Sequence, residues 1–101
     1  MPEISLRGFD DLDKSEIKTI EDLISSRLRK LNIAYSLLVI ELKQHKHEYK
    51  HLARIIHEIK IDLFFGKGKP LTAKAEDVNL YKAIGGAMDR LLKEVRHRFK
   101  K

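Results

Sequence analysis

The sequence predicts a two-layer α+β fold, in which two helices pack on one face of a four-stranded sheet in the order β-α-β-β-β-α. Two segments place apolar residues at the three-and-four spacing of a helix, and four others alternate apolar and polar residues as half-buried strands do. The chain has 101 residues, 43% of them hydrophobic and 36% charged, a composition typical of a folded domain with one modest core. We therefore expect residues 1–101 to form a single domain.

The first strand and the first helix have the clearest local signals. Residues 3–8, EISLRG, alternate and predict a short strand. Asp13 and Glu16 stand at the spacing of a capping box, in which each side chain accepts a hydrogen bond from the other residue's backbone. The helix that they begin carries its apolar residues at Ile17, Ile20, Ile24, Leu28 and Leu31. We expect this helix to end near Leu31 or Asn32.

Three further strands follow in succession. The segments YSLLVIELKQ (35–44), LARIIHEIKIDLFF (52–65) and KPLTAKAE (69–76) alternate, the last most weakly. Short turns between them predict an antiparallel meander. One face of the resulting sheet is apolar and must be covered by both helices, whereas the other face is polar. The polar face carries Glu41, Lys43, Glu58, Lys60 and Asp62.

A second amphipathic helix is predicted from about Asp77 to the end of the chain. Its apolar face consists of Leu80, Tyr81, Ile84, Met88, Leu91, Val95 and Phe99. The opposite side, here called the basic stripe, carries Lys82, Gly86, Arg90, Lys93, His97 and Lys100, with Lys101 alongside. Cations at this spacing can meet successive phosphates of a nucleic acid. Cations that only complement the helix dipole need just the last turn, so we favour the nucleic-acid interpretation.

Gly85 and Gly86 interrupt this helix, at a cost of about 1 kcal/mol each relative to alanine. Two interpretations stay open: a close approach by the backbone of a partner, or a tolerated weak point in the helix. Asp89 lies beside the basic stripe and reduces its charge.

The positive charge is concentrated near the end of the chain. The net charge is +6, and residues 90–101 hold six basic residues and one acid, whereas residues 1–42 are net acidic. This distribution indicates a polyanionic partner, with a solubilising tail as the alternative. The absence of cysteine excludes disulfides and a cysteine nucleophile. No stretch has the pattern of a membrane span or a signal peptide, so we expect a cytoplasmic protein.

The histidine-rich stretch QHKHEYKH, residues 44–51, is predicted to connect the second and third strands. Its tip is expected to present an RNA-facing loop formed by His45, Lys46, His47, Tyr49 and Lys50. Lysine and imidazole beside tyrosine suit contacts with phosphate or stacking on a base. The alternatives are an ordinary solvated loop and a metal site, for which a fourth ligand is not evident.

No pattern of residues specifies a catalytic site. The segment GKGKPLT resembles a phosphate-binding loop, but Leu63 stands where the first glycine of that motif belongs. His57, alone on an apolar strand face, is interpreted as a core or edge histidine with a satisfied partner. We expect no enzymatic activity, no cofactor and no small-molecule substrate.

Two segments resemble one known protein family. Residues 75–101, AEDVNLYKAIGGAMDRLLKEVRHRFKK, are similar to the closing helix of the ribosome hibernation promoting factor family, also called ribosome-associated inhibitors or sigma-54 modulation proteins. Residues 81–84 match its Tyr-x-Ala-Ile pattern, although Gly85 stands where the family commonly has a polar residue. Residues 3–31 are similar to the family's first strand and helix, and the predicted element order is the family's order.

The resemblance implies a non-catalytic, short-form factor without a C-terminal dimerisation domain. Such a factor occupies the mRNA and tRNA channel of the small ribosomal subunit, contacts its rRNA and inhibits translation in idle ribosomes. The family's binding positions map onto Arg27, Arg29, Lys30, Arg90, Lys93, Arg96, Lys100 and Lys101, to which the basic stripe adds Lys82 and His97. We expect a monomer or weak homodimer that does not bind membranes. The alternatives are a homodimeric structural domain and an RNA-binding module without ribosome specificity.

Overall fold

The computed structural model describes residues 3–31, 34–66 and 68–98, and for Tyr49 it describes the backbone alone. Its elements are strand β1 (Glu3–Arg7), helix α1 (Lys14–Leu28), strands β2 (Leu37–Tyr49), β3 (Leu52–Phe64) and β4 (Leu71–Asp77), and helix α2 (Leu80–Arg98). This order, β-α-β-β-β-α, confirms the predicted α+β fold.

The four strands form one sheet in the order β1-β2-β3-β4. β1 pairs parallel to β2, and α1 lies in the crossover that a parallel connection needs. β2, β3 and β4 pair antiparallel, which confirms the predicted meander. β1 and β4 are therefore the two edges of the sheet.

The core lies between the sheet and the two helices. The strands contribute alternate residues such as Ile40 and Ile61, and the helices contribute residues such as Ile24 and Ile84, each at most 1% exposed. Because these inward residues form one cluster, both helices cover the same face of the sheet, as predicted. The opposite face carries Glu41, Lys43, Glu58, Lys60 and Asp62, none of them fully buried.

Helix α1 begins as the sequence predicts and ends earlier. The backbone N–H of Glu16 donates to Oδ1 of Asp13 at 2.8 Å, and the reciprocal bond from the Asp13 N–H to Glu16 completes the capping box. The predicted end near Leu31 or Asn32 is wrong, because the helix stops at Leu28 and the next residues form a tighter turn. In that turn the N–H of Leu31 donates to the carbonyl of Leu28 at 2.9 Å.

Helix α2 starts at Leu80, three residues after the predicted start, because Asn79 caps it. Oδ1 of Asn79 accepts from the backbone N–H of Lys82 at 3.1 Å, and Asp77 in turn accepts from the N–H of Asn79 at 2.8 Å. Most of the predicted apolar face is buried, whereas Tyr81 is 38% exposed. The predicted positions Phe99, Lys100 and Lys101 lie outside the described residues.

The β2–β3 hairpin is much longer than predicted. β2 continues to Tyr49, and only Lys50 and His51 form the turn, both in the left-handed region with φ of 45° and 65°. The expectation that residues 44–51 form a connecting loop is therefore wrong, since most of them lie in the strand. The apolar alternation ends at residue 44, and the cross-strand ladder with β3 holds the remaining polar residues in the extended conformation.

The far half of this hairpin extends beyond the sheet. β1 pairs with β2 as far as Glu41, and β4 pairs with β3 only from His57 onward. Within the described sheet, residues 44–56 thus pair almost entirely with one another; we call this segment the hairpin arm. The molecule is correspondingly elongated, with principal extents of 51 × 28 × 22 Å.

Candidate nucleic-acid interface

The basic stripe lies on the solvent side of α2. The described basic residues of the stripe are Lys82, Arg90, Lys93 and His97; Arg96 lies beside them and is counted with the stripe below, and all five are exposed. Met88 and Leu91, on the opposite side of the helix, face the core with 0% exposure. Packing of the helix therefore leaves its cations available to a partner.

Arg90 is held in place by the edge of the sheet. Its Nη1 donates to the backbone carbonyl of Lys74 on β4 at 2.7 Å. This bond orients the guanidinium, and Lys74, whose side chain is exposed, lines the same cleft as Arg90. Lys74 was missed by the sequence reasoning because, on a strand, it has the pattern of any solvated residue. It becomes a candidate because α2 packs against β4.

A shallow cleft separates α2 from β4. It is lined by Glu58, Lys74, Ala75, Glu76, Asp77, Lys82, Gly86 and Arg90. Two of its three cations, Lys82 and Arg90, come from the helix, whereas Lys74 and all of its carboxylates come from the strands. Positive charge therefore lies on the exposed side of α2 more than inside the cleft.

The two glycines of α2 face neighbours within the chain. A Cβ at Gly86 would lie 3.5 Å from Cβ of Ala75, and one at Gly85 would lie 3.6 Å from Nη2 of Arg27. Both are ordinary van der Waals distances. The packing of the chain therefore does not itself require glycine at either position, and the two interpretations of these residues stay predictions.

The basic residues predicted as contacts in and just after α1 differ in whether their charge is paired within the chain. Arg27 is 29% exposed, and its Nε lies 3.2 Å from Oδ1 of Asp89, an ion pair that lacks the alignment of a hydrogen bond. Arg29 and Lys30 are exposed just beyond the end of α1. The structure thus brings Arg27 against α2 but offsets its charge, while the other two face solvent.

The hairpin arm holds the predicted histidine cluster in an extended form. Nε2 of His45 lies 2.7 Å from Oε2 of Glu58, and Nζ of Lys46 lies 3.2 Å from Oε1 of Glu48. The hydrogen bond with His45 is the main cause that holds the pKa of Glu58 below its ordinary value. His47 stands opposite Arg54 on the neighbouring strand. The arm is thus a two-stranded basic ribbon.

Metal ligation finds no support in this geometry. Over residues 3–31, 34–66 and 68–98, no three histidine, aspartate or glutamate side chains are grouped to hold a metal ion. Along the arm, His45 is engaged by Glu58. At its base, Nδ1 of His57 lies 3.3 Å from Nε2 of Gln44, which agrees with its interpretation as a satisfied edge histidine.

The polar face of the sheet largely neutralises its own charge. Lys60 lies 4.0 Å from Asp62, which also accepts a hydrogen bond from Thr72 at 2.6 Å. Lys43 lies 3.8 Å from Glu41. Unbalanced positive charge is therefore found on α2 and on the hairpin arm rather than on this face.

Two further features of the helices concern the end of α2 and the capacity to cross a membrane. At the end of α2 the exposed side chain of Arg98 has its Cζ 5.7 Å from the centroid of the Phe65 ring. Neither helix, as described, combines the length and the apolar character needed to cross a bilayer.

Comparisons with known proteins agree with this fold. The model of the family described as sigma 54 modulation protein / S30EA ribosomal protein matches residues 13–101. No curated protein sequence matches. A ribosomal subunit interface protein from Coxiella burnetii superposes with a TM-score of 0.61 at 18% identity, covering 98% of this chain and 99% of that one. The N-terminal domain of Protein Y from Thermus thermophilus gives 0.55 at 20% identity, covering 97% and 99%. At these identities the two structures establish the shared fold alone.

Proposed function

The chain belongs to the sigma 54 modulation protein / S30EA ribosomal protein family, and on that premise we propose that it is a non-catalytic factor that binds the small ribosomal subunit. In this proposal it occupies the mRNA and tRNA channel, contacts the rRNA and inhibits translation in idle ribosomes. The protein acts by excluding ligands from the channel, so it needs neither a nucleophile nor a cofactor.

The exposed basic stripe is the observation that carries the proposal. From Lys82 to His97 it extends for about 22 Å along α2, at about 1.5 Å per residue. That length is sufficient to contact several phosphates in succession. Arg90 is pre-oriented by its bond to Lys74, so less conformational entropy is lost when it binds a phosphate.

The remaining cations extend the surface in two directions. Arg29 and Lys30 continue it past the end of α1, and Lys74 continues it onto β4. Arg27 contributes less because it pairs with Asp89. Lys100 and Lys101 are retained as proposed contacts from the sequence.

Sedimentation with small ribosomal subunits tests the proposal. At low salt the protein should cosediment with the subunits, and replacing Lys82, Lys93 and Arg96 together by alanine should weaken this binding. A control variant loses the same charge elsewhere, through alanine at three exposed residues outside the proposed surface, Arg7, Lys14 and Lys18. The control should sediment like the unaltered protein.

The dependence on salt separates the proposal from the alternative of a sheet-mediated homodimer. RNA binding releases counterions, so log K should fall with log salt by about 0.7 to 0.9 for each phosphate contact. Dimerisation through the self-neutralised polar face should change little. Equal weakening in the stripe and control variants, or no cosedimentation at low salt, would contradict the proposal.

A further inference from the structure

The outer edge of β2 is open along the hairpin arm. β1 pairs with β2 only as far as Glu41, and the loop after β1 closes against Leu42, where a Cβ at Gly8 would clash with the carbonyl oxygen. From residue 43 to residue 49, no described strand lies beside this edge. An edge of this kind presents backbone N–H and C=O groups with which a further strand can pair.

The turn of the hairpin determines which backbone groups point outward. Tyr49 and Leu52 stand opposite one another on either side of a two-residue turn, so they form the hydrogen-bonded pair that closes it. Every second residue of β2 then bonds to β3, and the residues between them, which include Lys46 and Glu48, direct their N–H and C=O away from β3. These two residues therefore offer backbone donors and acceptors to a partner strand.

The side chains at these two positions carry opposite charges. Nζ of Lys46 lies 3.2 Å from Oε1 of Glu48, and the two side chains are 65% and 72% exposed. A lysine on an edge strand is one of the devices by which proteins prevent pairing with another chain. Because Glu48 follows two residues later on the same face, this edge instead becomes complementary to a second copy of itself.

One register of two antiparallel copies uses this complementarity. When His47 faces His47 of the second copy, Lys46 of each copy stands directly opposite Glu48 of the other. A symmetry axis at Lys46 or at Glu48 would instead set like charges opposite one another, which destabilises a cross-strand pair. The tip of each arm then comes beside Lys43 of the other copy, and β1 ends before that point, at Arg7 opposite Glu41.

We propose that the hairpin arm is a self-association surface, through which two copies of the chain pair antiparallel along the outer edges of β2, about His47. The two arms then form a four-stranded antiparallel sheet in the order β3-β2-β2-β3. A two-stranded hairpin is only marginally stable in water, and further strands stabilise it. The interface is short, so the dimer is weak and depends on protein concentration. This surface is separate from the basic stripe of α2 and does not depend on the proposed function.

Sedimentation equilibrium of the full chain and of charge-reversed variants tests the proposal. The unaltered protein should form a dimer as its concentration rises. K46E sets two acids opposite one another and E48K sets two lysines, each at two symmetric places, so each variant should dimerise about ten-fold more weakly. The double variant K46E/E48K restores opposite charges and should recover the dimer. An equal mixture of K46E and E48K should form heterodimers, because each variant then faces its complement.

Two variants on α1 control for net charge. Lys18 and Glu21 are exposed and lie outside the arm. K18E and E21K change the net charge of the chain by the same amounts as K46E and E48K. Both control variants should dimerise like the unaltered protein.

Cysteine cross-linking tests the register without reversing any charge. The chain contains no cysteine, so H47C gives each copy a single thiol, next to the symmetry axis. Directly opposite residues have Cα atoms about 4.5 to 5.5 Å apart, a separation that a disulfide can span. H45C should cross-link much less, because its two thiols lie four residues apart along the strands, or about 13 Å.

Three results would overturn the inference: a chain that stays monomeric at every concentration, a double variant that dimerises as weakly as the single ones, or equal cross-linking of H45C and H47C. Circular dichroism identifies a charge-reversed variant that fails to fold. In that case the two cysteine variants decide the outcome, since they leave Lys46 and Glu48 in place.

Discussion

Nε of Arg27 lies 3.2 Å from Oδ1 of Asp89, and this ion pair joins the last turn of α1 to the middle of α2. Asp89 is the acid next to the basic stripe, so it both offsets the charge of Arg27 and lowers the positive potential of α2. Replacing Asp89 by asparagine should therefore strengthen binding to RNA, by a few-fold for one exposed charge pair. Filter binding or anisotropy with an rRNA fragment measures the change.

A matched variant separates this effect from net charge alone. Glu21→Gln removes one exposed carboxylate of α1 that is not part of the ion pair. Its effect on affinity should be smaller, because only Asp89→Asn also releases a guanidinium. Equal gains in the two variants would mean that Arg27 contributes no contact with RNA.

Arg90 and Lys93 should behave differently although both belong to the basic stripe. Arg90→Met removes a charge and the hydrogen bond to the Lys74 carbonyl, so it should weaken RNA binding and lower the free energy of unfolding by about 1 kcal/mol. Lys93→Met should weaken RNA binding to a similar extent with little change in stability. Urea denaturation combined with the binding assay distinguishes them. Unchanged stability in Arg90→Met would show that the bond to β4 does not position the guanidinium in solution.

Two glycines should respond in opposite ways to alanine. Gly8 has φ of +83°, and a Cβ there would clash with the carbonyl oxygen of Leu42. Gly8→Ala should therefore destabilise the fold by about 2 kcal/mol or more. Gly86 is helical, and a Cβ added there would make only an ordinary van der Waals contact. Gly86→Ala should therefore stabilise the fold by about 1 kcal/mol. Denaturant midpoints of the two variants test both signs, and destabilisation by Gly86→Ala would mean that α2 and β4 pack more closely than described.

Acid should weaken the N-cap of α1. The backbone N–H of Glu16, followed by the hydroxyl of Ser15, holds the pKa of Asp13 below its ordinary value of 3.8. A lowered pKa in the folded state means that the stabilisation is complete above the unfolded value and is lost as the pH falls through the folded one. Asp13→Asn keeps a capping oxygen without the titration, so its melting temperature should fall less than that of the unaltered protein below about pH 4. Parallel loss of melting temperature in the two proteins would contradict this origin.

Patterns in the sequence were sufficient to predict the helices and strands whose formation depends mainly on residues close to one another along the chain. The apolar spacing of Ile20 and Ile24 and the capping pair Asp13 and Glu16 specify α1 without reference to the rest of the chain. Alternation likewise predicted the strands wherever one face is buried. The far part of β2 was missed because residues 44–49 show no alternation of apolar and polar side chains. Their extended conformation depends on pairing with β3.

The candidate site was predictable in outline and not in detail. Helical spacing alone placed Lys82, Lys93 and His97 on one side of α2. The pairing of Arg27 with Asp89 and the bond from Arg90 to β4 depend on how α1 and β4 pack against α2. Contacts between elements distant in sequence leave no periodic signal, so the sequence could not predict which cations are engaged.

Competition for the small ribosomal subunit tests the central claim most directly. Small subunits are loaded with a fluorescently labelled mRNA and then titrated with the protein, and release of the mRNA is followed by anisotropy. If the protein occupies the mRNA channel, the mRNA should be displaced in proportion to protein bound, and the stripe variant should require a higher concentration. Stable subunits that carry the protein and the mRNA together would contradict the account.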